Sequence, residues 1–374
     1  MSNFSIFTVH PTPQQRAAGL TNYNFGNFWQ ELEPGIPYLH TTEVIHKLQT
    51  MSVKVVGHGD LNRHRKMPWS LRDETGNIAI LTTGGIGDAI CLEPTLRRLK
   101  SKAVKVTIYG YHNRLNILAN SPEMWELNRL PVMLKGFPPV AWCFRGVPYN
   151  WEDHTIPMPI IVAQMAGLEY AAGEHPHIYP RPHDLQVWGN LCSDVRRPLI
   201  GLQIGAAIAK RSYPAPMLAG LATELGKLGQ VMLLGNAEQY QAAVQPYLAW
   251  YPGGKRRVVS AAGMCYDPLD LAALIAQLDI LITPDTGALH IAGALPVPVA
   301  TVGLTTVYPP SYAAGTHPRY YPVHPSRDEV PCSPCCGHGH QNCMKVNDLG
   351  VPICWAALTP KRIAAVVKTA LEEK

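Results

Sequence analysis

The chain has 374 residues, too many for one comfortable core, so two domains are the default expectation. Apolar residues make up 47% and charged residues 16%, which excludes a disordered polymer, and no uncharged apolar run is long enough to cross a bilayer. The net charge of +5 is spread along the chain and suits polyanionic ligands without requiring nucleic acid.

The N-terminus lacks the basic start and apolar centre of a secretion signal, so the expected compartment is the cytoplasm. Cys91, Cys143, Cys192 and Cys265 are scattered, as buried thiols in a reducing compartment would be.

From Met1 to about Gly76 the sequence is rich in Asn, Pro, Gly, His and aromatics and has no sustained period, which predicts short strands and loops packed on something larger. Its Arg63-His-Arg-Lys66 run is either a solvated face or a polyanion contact. Order begins at Asn77. Ile78 to Leu81 reads as a buried strand, Thr82 to Gly87 as a glycine-rich turn, Asp88 to Lys100 as a helix, and Lys105 to Tyr109 as the next strand. That succession opens a doubly wound α/β unit.

Pro159 to Leu168 predicts a helix, and Pro176 to about Arg197 a linker. A second α/β series comes next. Its strands are expected at Pro198–Ile204, Gln230–Leu234, Arg257–Val259, Asp279–Thr283 and Val297–Val302. Its helices are expected around Met217–Leu228, Ala237–Tyr247 and Leu269–Gln277. The fold class is therefore α/β, with two Rossmann-like domains facing across a cleft behind an N-terminal extension. The expected divisions are an extension at 1–76, a first domain at 77–190, a second at 191–358 and a terminal helix at 359–374.

Such a pair of domains sets the carboxyl ends of both sheets on either side of one cleft, with a donor on one side and an acceptor on the other. Three turns there carry chemistry. Gly85 and Gly87 with Asp88 form the first; Asp88 is either a helix cap or a working carboxylate. Gly205 to Tyr213 forms the second, and its Lys210 and Arg211 are either surface cations or neutralisers of a diphosphate. Thr283-Pro-Asp-Thr-Gly-Ala-Leu-His290 forms the third, in which a capping side chain, Asp285, Thr286 and Gly287 suit a phosphate at a helix start. His290 is either a ligand or a satisfied core histidine.

Gly85-Ile-Gly-Asp-Ala-Ile90, the Gly205 to Pro214 turn, Leu233-Leu-Gly235 with Glu238, and Thr283 to Ala292 succeed one another as in glycosyltransferase family 9, the bacterial heptosyltransferases, which this chain resembles. The resemblance runs from about Asn77 to Leu371 and implies a GT-B fold and inverting transfer from a nucleoside diphosphate sugar, ADP-heptose-like. It also implies roles: Asp88 as general base, Lys210 as the cation on the leaving diphosphate, and Thr286 and Gly287 as amide donors. Asp285 and His290 flank the same pocket, and Glu238 holds the ribose. No catalytic metal is expected, because Asp-x-Asp is absent and amides with Lys210 take its place. The terminal helix, capped at Thr359-Pro360, is expected to cross back to the first domain.

The sequence departs from the family in its long extension and in Ala206-Ala207, which stand where hydroxyl residues are common. Cys332, Cys335, Cys343 and Cys354 are either a structural zinc site, a disulfide-like clamp or buried thiols. The expected acceptor is a glycan or lipid-linked glycan such as a lipopolysaccharide core. Modified DNA is the alternative suggested by the basic extension, and a non-catalytic binding module the third reading.

Overall fold

A computed structural model describes residues 4–10, 22–24, 29–31, 38–41, 54–60, 77–82, 85–101, 105–122, 126–129, 132–133, 141–144, 157–165, 168–171, 173–206, 211–241, 258–302, 317–332, 345–348 and 351–373. The extension supplies β1 (Phe4–His10), β2 (Asn22–Asn24), β3 (Trp29–Glu31), β4 (Tyr38–Thr41) and β5 (Lys54–Asp60).

The first α/β half contains β6 (Asn77–Thr82), α1 (Ile86–Ser101), β7 (Lys105–Gly110), a short helical turn at His112–Leu115, β8 (Glu126–Arg129), β9 (Val132–Met133), β10 (Ala141–Phe144) and α2 (Met158–Met165). Strand pairing ties the extension to this half. Strand β9 leaves its own half and pairs antiparallel with β4, Tyr38 opposite Met133, to complete a sheet of order β5-β1-β4-β9.

The half's own sheet has order β10-β6-β7-β8, with every neighbour parallel. Ile80 and Ile108, partners across β6 and β7, are both fully buried. Continuous apolar strands of this kind need a cover, and α1 supplies it through Ile90, Leu92, Leu96 and Leu99.

The expected linker contains a helix, α3 (Pro182–Cys192), and the division at 190/191 falls inside it. Pro182 stands at its start, where a missing N–H costs nothing, and Leu185, Trp188 and Cys192 recur at helical spacing. The Trp188 indole donates to Asp270 Oδ1 at 2.7 Å. Just before the helix, Arg181 holds Asp267 with both Nη atoms (2.8 and 3.0 Å), and Asn116 of the first half donates to the same carboxylate at 3.0 Å. Asp267 thus joins first half, connection and second half, and its hydrogen bonds from Arg181 and from backbone amides hold its carboxyl below the usual range against the opposing effect of burial.

The second half runs β11 (Leu199–Gln203), α4 (Ala215–Leu228), β12 (Gln230–Leu234), a turn of helix at Ala237–Gln239, β13 (Val258–Ser260), α5 (Pro268–Ile275), β14 (Ile280–Thr283), α6 (Gly287–Gly293), β15 (Val299–Val302), β16 (Tyr320–Val323) and α7 (Pro360–Glu372). Residues 242–247 of the expected helix Ala237–Tyr247 lie outside the described residues. The sheet order is β13-β12-β11-β14-β15-β16, all parallel, which is the doubly wound order with its reversal between β11 and β14.

One core runs from α1 of the first half into α5 and α6 of the second. A separate core on the other face of the second sheet takes α4, α7 and Trp355. Thr359 caps α7 as its sequence suggests, accepting from the Arg362 N–H at 3.3 Å. Among the described residues the helix does not cross back as expected. Its described contacts are with α4 and β14 to β16, because its apolar stripe of Ile363, Val367 and Ala370 is buried against the second sheet.

Candidate functional site

In each half the turn of interest lies just after the strand at which the sheet order reverses: β6 in the first half, β11 and β14 in the second. Ligands of open α/β sheets sit outside the carboxyl ends of strands at such points. The sequence puts glycine there because the chain must turn tightly and let other backbone come close.

On the first side, Asp88 lies in the first turn of α1 and its Oδ2 accepts from the Gly85 N–H at 2.6 Å. The carboxylate therefore closes its own helix start, as in the return bond of a capping box. The capping reading of Asp88 is correct, and a carboxylate so held also has a fixed direction. Burial pushes its pKa above the ordinary value, while the Gly85 N–H, His290 and Arg114 oppose this and Asp285 adds to it.

On the second side, the Gly205 turn is stapled at its neck. Ser212 Oγ accepts from the Ala206 N–H at 3.0 Å, and Gln203 Nε2 donates to the Gly205 carbonyl at 2.9 Å. Arg211 leaves the neck and pairs with Asp285 Oδ2 at 2.7 Å, which joins the turn after β11 to the turn after β14. Lys210 lies outside the described residues.

Thr286 occupies the cap position of α6, yet it makes no side-chain capping bond there. Its hydroxyl lies 3.0 Å from that of Thr283, so the capping side chain expected of this turn is turned inward instead. Thr283 Oγ1 also donates to the Pro284 carbonyl at 2.8 Å, which draws the two threonines into one polar knot.

The two sides meet. A Cβ added to Gly87 would fall 2.5 Å from His290 Cδ2, and one on Gly287 would fall 3.4 Å from Ile86 Cβ. His290 is buried, and burial lowers its pKa; Asp285 and Asp88 oppose that shift and Arg211 adds to it. Asp88, His290, Asp285 and Arg211 are thus within electrostatic reach of one another, from two separate halves of the chain. A proton acceptor, a neutral imidazole and an ion pair in one gap suit removal of a proton beside a charged leaving group.

Of the residues singled out in the sequence, Gly85, Gly87, Asp88, Arg211, Asp285, Thr286, Gly287 and His290 come to this gap. Gly205 stands at the rim of the second turn. Glu238 is exposed beyond the end of β12, next to the loop after β13, and makes no bond among the described residues that would fix its direction. Of the cysteines, Cys332 is half-buried and Cys354 buried, whereas Cys335 and Cys343 lie outside the described residues, as does Arg63 to Lys66.

Three features escaped the sequence. Arg114 lies past the carboxyl end of β7, stands 4.8 Å over the Tyr111 ring and acts on Asp88; its position after a parallel strand was the available signal. Cys91, read only as a buried thiol, has its Sγ 4.0 Å from His290 Nδ1. The third is a glycine joint, in which Gly235 (φ 149°) and Gly263 (φ 77°) take left-handed backbone and Gly263 N–H donates to the Gly235 carbonyl at 2.8 Å. Met264 and Tyr266, just after this joint, are exposed.

Residues 163–341 match the model of glycosyltransferase family 9 (heptosyltransferase). No curated protein matches the chain by sequence. Among solved structures, a family 9 glycosyl transferase from Veillonella parvula is similar with a TM-score of 0.59 at 16% identity, over 81% of this chain and 99% of that one. The ADP-heptose LPS heptosyltransferase II of E. coli gives 0.54 at 16%, over 79% and 99%. The dodecameric iron-containing glycosyltransferase TibC of enterotoxigenic E. coli gives 0.57 at 12%, over 100% and 92%, so that match runs through the N-terminal extension. The fold is that of these glycosyltransferases. Among the described residues no helix is long and apolar enough to cross a membrane.

Proposed function

We propose that this chain, which carries a glycosyltransferase family 9 domain over residues 163–341, moves a sugar from an ADP-heptose-like donor to a hydroxyl of a glycan or lipid-linked glycan. One observation carries the reading: the Asp88 turn of the first half and the His290 turn of the second are in contact at the reversal points of their sheets. TibC has been crystallised with ADP-D-beta-D-heptose, which supports the same donor class here. Asp88 takes the proton of the acceptor hydroxyl as its oxygen bonds to the anomeric carbon. The bond from that carbon to the diphosphate breaks on the opposite face, the configuration inverts, and the nucleoside diphosphate leaves with the electron pair. Lys210 and the backbone of the second half carry the charge of the leaving group, in place of a metal.

A donor panel tests this. ADP-sugar at 100 times its Kd should stabilise the protein by about 2.7 kcal/mol in thermal melts, UDP-sugars should shift it little, and Lys210→Ala should remove most of the ADP-sugar shift. A flat response to every nucleotide would favour a non-catalytic module. Neither the comparisons nor the described residues support DNA as the acceptor.

The cysteine-bearing end is proposed as a tetrahedral metal site formed by Cys332, Cys335, Cys343 and Cys354. The backbone fits this. Ile353 N–H donates to the Lys345 carbonyl at 3.1 Å and Val346 bridges Pro352, which holds the segment before Cys354 against residues 345–346. Cys332 and Cys354 pack on the same core. Four thiolates suit zinc or iron in a closed structural role. Metal analysis of purified protein should find close to one equivalent of zinc or iron; well under one equivalent of both would remove the site.

A further inference from the structure

We infer that His290 is a positioning residue for Asp88: its imidazole is the key that seats the first half of the chain on the second, and Gly87 with Cys91 is the slot that receives it. This rests on the sugar-transfer reading above only for its effect on turnover; the contact itself is geometric.

The slot is one turn of α1. Gly87 and Cys91 stand four residues apart, on the same face, and the ring lies across them. An ideal Cβ on Gly87 would lie 2.5 Å from Cδ2, 2.7 Å from Nε2 and 2.9 Å from Cγ, so only the absence of a side chain admits the ring at this depth. At the other end of the slot Cys91 Sγ is 4.0 Å from Nδ1. His290 is only 7% exposed, and Cys91 is fully buried.

A second contact is reciprocal. Ile86 of the first half sits on Gly287 of the second, with an ideal Cβ there 3.4 Å from Ile86 Cβ. Each half thus offers a glycine to a side chain of the other. Two such contacts fix both the depth and the rotation of α1 against α6, and Asp88, next in sequence to Gly87, is carried to one place in the gap. Glycine inside a helix costs about 0.5–1 kcal/mol relative to alanine, so Gly87 weakens α1 locally while it enables the fit.

Among the described residues, the charged and titratable groups that face the imidazole are Asp88 on α1, Asp285 and Arg211 on the two turns of the second half, and the Cys91 thiol. Asp285 and Arg211 pair with each other at 2.7 Å.

The test is a double-mutant cycle of Gly87→Ala and His290→Ala in the full chain, read by ADP titration, steady-state kinetics and melting temperature. Each single variant should lower kcat about 10- to 100-fold with ADP affinity within about threefold, and the double should be no worse than His290→Ala alone. A loss of kcat without a matching loss of ADP affinity separates this role from a merely structural defect, which would lower both. A weakening of ADP binding by about tenfold or more in His290→Ala would instead make the ring a ligand of the diphosphate and overturn the inference. Independent, additive effects of the two substitutions would overturn it as well.

The melting-temperature arm needs no activity. The Gly87→Ala loss should vanish in the His290→Ala background. A wild-type protein that binds no nucleotide would end the sugar-transfer reading and leave this arm to judge the contact.

Discussion

Asp88→Asn is expected to lower kcat about 10²- to 10⁴-fold while donor affinity stays within about threefold of wild type. The substitution is chosen for what it keeps. The asparagine oxygen still accepts the Gly85 N–H that the carboxylate accepts at 2.6 Å, so the start of α1 is held and only the base is lost. Near-normal turnover in single-turnover and steady-state assays would remove Asp88 from the chemistry.

The pH dependence comes from the direction of the Asp88 shift. Burial raises its pKa in the folded protein, and a base works only when deprotonated. Activity should therefore fall on acidification at a pH above the ordinary aspartate value, and this limb should be absent from the residual activity of Asp88→Asn. Stability has the opposite sense. Between the unfolded and the raised folded pKa the native state binds more protons, so stability contributed by this group is present at low pH and declines as pH rises through that window. At neutral pH the charged carboxylate is a net cost, and Asp88→Asn should melt slightly above wild type. A protein that is both less active and less stable would contradict this account of the site.

Trp355→Ala is expected to destabilise the second half by about 3–5 kcal/mol, the range for loss of a large aromatic from a core. Trp355 is fully buried, and its ring centroid lies 4.7 Å from that of Tyr213. Tyr213 closes the turn that begins at Gly205 and carries Arg211, so the indole supports that turn from below as well as filling the core shared by α4 and α7. For a unit of this size the loss corresponds to a fall in Tm of roughly 6–20 °C by calorimetry, with donor affinity reduced alongside.

Tyr213→Phe is the control. The Tyr213 hydroxyl is buried with no hydrogen-bond partner among the described residues, so removing it should be neutral or slightly stabilising. A Trp355→Ala loss under about 1 kcal/mol would mean that the pair is not the support described.

Much of this was legible in single stretches of sequence. Ile78 to Leu81, Pro198 to Ile204 and Asp279 to Thr283 are short, apolar and bounded by glycine-bearing turns, a pattern that only a buried parallel strand satisfies comfortably. Thr359-Pro360 announced the start of α7. The connection at Pro176 to Arg197 misled because its prolines outweighed the spacing of Leu185, Trp188 and Cys192, which α3 turns toward the core. The direction of α7 was misjudged for another reason. An apolar stripe states that a helix is buried and says nothing about which of two surfaces receives it.

Left to itself, then, the amino-acid sequence determined two α/β halves, their order and the three turns that border the gap, because strand burial, helix capping and tight turns are decided among residues close together along the chain. Only the tertiary structure decided that β9 joins the extension, that Arg211 reaches Asp285, and that Gly87 receives His290. Those contacts depend on how far apart segments are carried when the sheets twist and the two cores pack, and no local pattern encodes that distance.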